Sequence, residues 1–273
     1  MRLHHFLISS TALLLMSHNA FARCNCPDDD DYEDSSYDYL LEGDFQLSLL
    51  LGIATLNQDD GSIKVAPDEV DVLTQSNGND WDTWTGQFGV GYVMPLYWGE
   101  DAEESKMESG IAWFDTITPQ INVYVIGESD MEGDVLRFGH EDDKDATYSS
   151  DFSSTRLMFD VAFDVLTIRD FSFYGLAGLG IAWNTTNLDW IPNPGVPIPG
   201  FSLSDTNSSG FAYEFGVGVD YEVLGDLDIS LQYLYTAFDD INIQGADDFP
   251  FEVSDTELDV NAQSLLLGVR LTI

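Results

Sequence analysis

Eight stretches of this chain alternate apolar and polar residues with a period of two rather than 3.6. A period of two sends successive side chains to opposite faces of an extended strand, so a chain built this way folds as sheet. In the first stretch Phe45, Leu47, Leu49, Leu51 and Ile53 share one face, and Gln46, Ser48 and Gly52 the other. The remaining seven run over 84–92, 117–125, 157–165, 171–183, 211–221, 227–236 and 264–273. Pro119 lies inside the third and donates no hydrogen bond, which weakens the ladder there. Each stretch reaches the roughly 9–11 tilted residues with which a strand crosses a bilayer.

The connections alternate in length. Segments 57–82, 127–151, 185–208 and 237–258 are long and polar or irregular, whereas 166–170 and 222–226 are tight turns. Segment 97–110 is longer than a simple turn. Long loops at one end and short turns at the other fit a membrane barrel, whose sheet must close because lipid tolerates no unpaired edge. A soluble barrel or sandwich would show the same alternation with its apolar face turned inward. Three features favour the membrane reading. The polar face is rich in glycine, as a narrow interior requires. The apolar face carries aromatic residues near strand ends, as an interfacial girdle does. The N-terminus also reads as an export signal.

In that signal, expected over residues 1–22, Arg2 precedes the apolar run Phe6–Met16, and Ala20-Phe21-Ala22 forms the cleavage site. Residues 23–42 read as an acidic periplasmic tail, and 43–273 as the barrel. Arg23 before Cys24 argues against a lipid anchor, and Cys24 and Cys26 read as tail thiols. The chain carries 49 acidic residues against 9 Lys and Arg, a net charge of -40, which excludes nucleic acid as a partner.

With these features the stretch 43–273 resembles the small eight-stranded outer-membrane proteins of the OmpA, OmpX and opacity-protein type. The likeness rests on strand number, loop asymmetry, Gly-rich strands such as Tyr174-Gly175-Leu176-Ala177-Gly178-Leu179-Gly180, and an alternating final strand. It implies an all-β, eight-stranded antiparallel up-and-down transmembrane β-barrel with long extracellular loops. It also implies contact with outer-membrane lipid and lipopolysaccharide, and delivery by the barrel assembly machinery. The family usually ends in an aromatic residue, whereas this chain ends in Ile273.

Arg156 and Arg270 are the basic residues on the polar strand face, which they share with Glu214, Asp160, Asp164, Asp220 and Asp228. Inside a narrow barrel such charges pair or stay hydrated. The cluster reads either as a salt-bridge plug or as the lining of a cation-preferring pore. The acidic loops read as a hydrated surface facing an unknown extracellular ligand, with weak surface binding of calcium as the other reading and no resident cofactor. Segment 190–201 is apolar and stiffened by proline; Trp190, Ile191, Val196, Ile198 and Phe201 form a contact loop or a lid over the barrel mouth. His140 is the one histidine left after the signal, in an acidic loop, so no enzyme is expected. The expected role is non-enzymatic, structural or adhesive through the long loops.

Overall fold

The computed structural model describes residues 43–58, 61–66, 69–75, 81–96, 111–140, 144–194, 200–239, 241–243 and 256–273. The expected signal, the tail with Cys24 and Cys26, segment 97–110, Val196 and Ile198 lie outside these residues. The strands are β1 (Asp44–Gln58), β2 (Gly61–Ala66), β3 (Glu69–Gln75), β4 (Trp81–Pro95), β5 (Ile111–Trp113), β6 (Thr116–Leu136) and β7 (Lys144–Ile168). They continue as β8 (Phe171–Pro192), β9 (Phe201–Leu224), β10 (Leu227–Phe238), β11 (Ile241–Ile243), β12 (Thr256–Leu258) and β13 (Val260–Thr272).

Eight of these, each containing one of the alternating stretches, form the barrel wall. The antiparallel order is β1, β4, β6, β7, β8, β9, β10, β13, and β13 returns to β1 to close it. Closure pairs Gln46 with Thr272 at one end and Gln58 with Val260 at the other. Pro119 leaves its mark: the β4–β6 ladder skips from Gly91–Gln120 to Met94–Ile117 without changing register. β5 continues the β6 ladder along β7, pairing Ile111 with Ile168, beyond a bulge where Phe114 takes φ 53°.

The apolar faces point outward. Phe45, Leu51, Phe88 and Leu267 are each more than half exposed, while Gln46, Ser48, Gln87 and Ser264 are buried. A soluble barrel with its apolar face inside is thereby excluded. A belt of exposed Leu, Ile, Val and aromatic side chains requires hydrocarbon around it.

The segments expected as long loops are in large part strand. β6 runs on to Leu136, β7 begins at Lys144, β8 reaches Pro192 and β9 begins at Phe201. In these extensions the period stays two but the polarity inverts. On β1 the outward side chains pass from Leu51 and Ile53 to Thr55 and Asn57, while the inward ones become Ala54 and Leu56. On β13, Gln263 faces out and Val260 and Ala262 face in, and Asp259 just before it is exposed. On β6 a register shift between Ile126 and Ser129 swaps the faces, so Glu128, Asp130 and Glu132 point out and Met131 and Val135 point in. Below this level the wall suits lipid; above it the same wall is a water-soluble barrel with an apolar core. β3 pairs with the top of β6, β12 with β2, and β11 packs beside β9, so the short strands help complete this upper wall.

Candidate functional site

All seven residues of the expected charge cluster face the lumen, and they gather at two levels. Near the end with the short turns, Arg270 on β13 gives Nη1 to Asp220 Oδ2 on β9 at 2.9 Å. Its Nη2 donates to the Tyr174 hydroxyl at 2.8 Å and to Gln232 Oε1 at 3.2 Å. Asp164 accepts from Thr116 Oγ1 at 2.5 Å, and Asp228 stands opposite Arg270 in the ladder. Asp164 and Asp228 are half-buried; Asp220 and Arg270 are buried.

Further up, Arg156 on β7 donates from Nε to Glu214 Oε2 on β9 at 3.2 Å. Its guanidinium lies 4.4 Å from the Tyr124 ring centre and 5.9 Å from that of Phe238. Thr236 adds a second donor to Glu214 Oε2 at 3.4 Å. Asp160 accepts from Asn122 and from the Tyr124 hydroxyl. Asp160 and Glu214 flank Gly178 on β8, and a side chain there would have to displace Asp160: an added Cβ would stand 1.7 Å from its Oδ1.

Neutral residues join the two levels. Gln232 on β10 reaches across the lumen to Gln87 Oε1 on β4 at 3.3 Å, and Gln87 donates to Asn122 Oδ1 at 3.1 Å. The chain of bonds thus runs from Arg270 through Gln232, Gln87 and Asn122 to Asp160. A search for charge alone misses these members. The signal that finds them is parity, because Gln87, Asn122, Tyr124, Tyr174 and Gln232 all sit on the inward face.

Above this polar plug the interior is mainly apolar, with Gln58, Asn184 and Thr186 among the polar residues buried there. Leu56, Trp81, Met131, Phe152, Leu188 and Phe238 are buried there, and the Phe152 and Phe238 rings meet edge to face at 5.8 Å. Trp190, expected as part of an exposed contact loop, is 3% exposed and belongs to this core. Its strand neighbour Ile191 points outward and is exposed, so the alternation splits the expected patch between two faces. Phe201 pairs with Trp190 in the β8–β9 ladder.

The outer wall of the upper barrel is acidic: Asp82, Glu128, Asp130, Glu132, Asp189 and Asp259 are exposed. Among the described residues Glu128, Asp130 and Asp151 each offer an oxygen, all within 4.8 Å of one another, a set able to hold a divalent cation. Asn187 braces Asp151, donating to its Oδ2 at 2.6 Å and accepting its backbone N–H at 2.8 Å. A hydrogen bond and like charge from Asp151 hold the Asp130 carboxyl above its usual range. His140 is exposed at the tip of the β6–β7 hairpin, and Glu141, Asp142 and Asp143 beside it lie outside the described residues.

Residues 35–271 match the family model described as the outer membrane protein beta-barrel domain. Among solved structures, the outer membrane protein OprG from Pseudomonas aeruginosa is similar at 19% identity, over 85% of this chain and 96% of that one, with a TM-score of 0.40. Neisserial surface protein A is similar at 13% identity, over 83% and 96%, with a TM-score of 0.39. The outer membrane protease OmpT from Escherichia coli is similar at 7% identity, over 88% and 99%, with a TM-score of 0.45. A comparison with curated proteins finds no match.

Proposed function

The chain belongs to the outer-membrane protein β-barrel family, and from that premise we propose that it is a non-conducting, non-enzymatic barrel that works through its extracellular wall. It resides in the outer membrane. The observation that carries the proposal is the filled lumen: a polar network at two levels, then an apolar core above it. An ion entering from the short-turn end would have to displace Arg270 and Arg156 from their carboxylates. It would then have to shed its water among Phe152, Phe238 and Leu56, which is costly.

What remains for contact is the acidic outer wall above the lipid belt. Its carboxylates suit lipopolysaccharide through divalent bridges, or a cationic extracellular ligand. Residues 1–22 serve as the export signal, 23–42 as a periplasmic tail, and β13 as the strand presented to the assembly machinery. The test is reconstitution of the refolded barrel in a planar bilayer. A silent membrane over long recording is expected. Stable unitary steps with cation preference would overturn the reading and favour a narrow pore lined by the Asp160, Glu214 and Asp220 face.

A further inference from the structure

The lipid-facing wall of the barrel is not smooth. Across β7, β8, β9, β10 and β13 it carries an apolar trough of about 480 Å³, bordered by Val165, Phe173, Val217, Leu231 and Leu265. Its floor is Gly175, where an added Cβ would meet no atom within 4 Å. The hydroxyl of Tyr233, also part of the lining, is already committed to Gln263 Oε1 at 2.9 Å. The trough therefore suits a flexible hydrocarbon chain.

The trough approaches the end of the barrel with the short turns. Phe173 stands four residues beyond Arg169, which sits exposed in the β7–β8 turn with φ 54°. Among the described residues Arg169 is the exposed cation at that end. Asp170, Glu222 and Asp226 are exposed in the same pair of turns, and Glu222 N donates to Asp170 O at 2.8 Å. This end thus offers one cation beside several carboxylates, which matches a headgroup carrying both a phosphate and an ammonium.

We propose that the trough holds one acyl chain of a zwitterionic phospholipid, with its phosphate on Arg169 and its ammonium toward Asp170 and Glu222. The trough is continuous with the lipid-contact belt, so lipid already meets this wall. A second copy of the chain is disfavoured because each copy has a net charge of -40. Bulk lipid is as apolar as the trough, so preference arises from close packing on the side chains and from charge-assisted bonds at the headgroup. The inference uses only the membrane location and does not depend on whether the lumen conducts.

The test is native mass spectrometry of the full barrel in detergent, with dioleoylphosphatidylethanolamine or dioleoylphosphatidylglycerol added. Variants Gly175→Phe and Arg169→Gln are first checked for heat-dependent gel mobility, and Leu231→Trp replaces Gly175→Phe if that variant does not fold. The wild type is expected to retain one phosphatidylethanolamine in preference to phosphatidylglycerol. Filling the trough should weaken retention about tenfold, and Arg169→Gln about fivefold. Equal retention by the wild type and both variants would overturn the proposal, as would a preference for phosphatidylglycerol. So would a wild-type dimer that Gly175→Phe dissociates, because the trough would then belong to a second copy.

Discussion

Arg156 and Arg270 are each buried against a single carboxylate, with an aromatic ring stacked beside the guanidinium. Removing either cation strands acid in a medium of low dielectric. Arg156→Met is therefore expected to lower unfolding stability in detergent by about 3–5 kcal/mol, measured by urea titration. Arg156→Met combined with Glu214→Gln should cost less, because the orphaned charge leaves with its partner. Gly178→Ala tests the neighbouring geometry: its Cβ must push Asp160 away from the lumen wall, and a fall in the urea midpoint is the expected result. The seven charged members of the lumen were legible in the sequence because they interrupt an otherwise neutral inward face. Their partners Gln87, Asn122 and Gln232 do not stand out in the sequence, because nothing along the chain tells which neutral inward residue meets which across the barrel.

At the level of strands, the upper extensions behave as a soluble barrel standing on a membrane barrel. Trp190→Ala should cost about 3–5 kcal/mol of local stability and expose the β8–β9 extension to protease, whereas Ile191→Ala, on the outer face, should change it by less than about 0.5 kcal/mol. Deleting Gly127 removes the extra residue of the β6 bulge and sets Glu128 opposite Ser153, so Glu128, Asp130 and Glu132 should stay on the outer face. Unchanged protease resistance of the β6–β7 extension is expected, and new cleavage there would show that the extra residue is needed. The Asp130–Asp151 pair adds a pH dependence. The folded state binds the Asp130 proton more tightly than the unfolded chain, so this contribution is full below the ordinary carboxylate range and is lost as pH rises through the folded value. The thermal midpoint should rise from pH 7 to about pH 4 more in the wild type than in Asp130→Asn. Along the sequence these extensions resemble loops because their outward faces are acidic. Density of charge resembles a solvated loop until the apolar residues between the charges are seen to share an inward face.

For the molecule as a whole, closure of β13 on β1 removes every sheet edge from the lipid belt. Such a barrel resists detergent, so an unboiled sample should run differently from a boiled one on an SDS gel. Bilayer silence then belongs to the same scale, because it depends on both levels of the plug and on the core above them together. Opening the plug alone, with Arg156→Met and Arg270→Met combined, is expected to leave the membrane silent as long as Phe152 and Phe238 still close the upper lumen.

Period-two alternation, read along the chain, determined eight strands and which residues share each of their two faces, because these depend on residues two apart on one strand. The tertiary structure alone decided how far the wall extends beyond the membrane, where its polarity inverts, and that the lumen is filled. Those depend on register between strands far apart in sequence, such as Gln87 with Gln232 and Phe152 with Phe238, and on a bulge at Gly127 and Glu128 that turns one strand over. Trp190 and Ile191 show the difference most directly. Adjacent in the chain and equally apolar, they are separated by the strand itself, one into the core and one toward water.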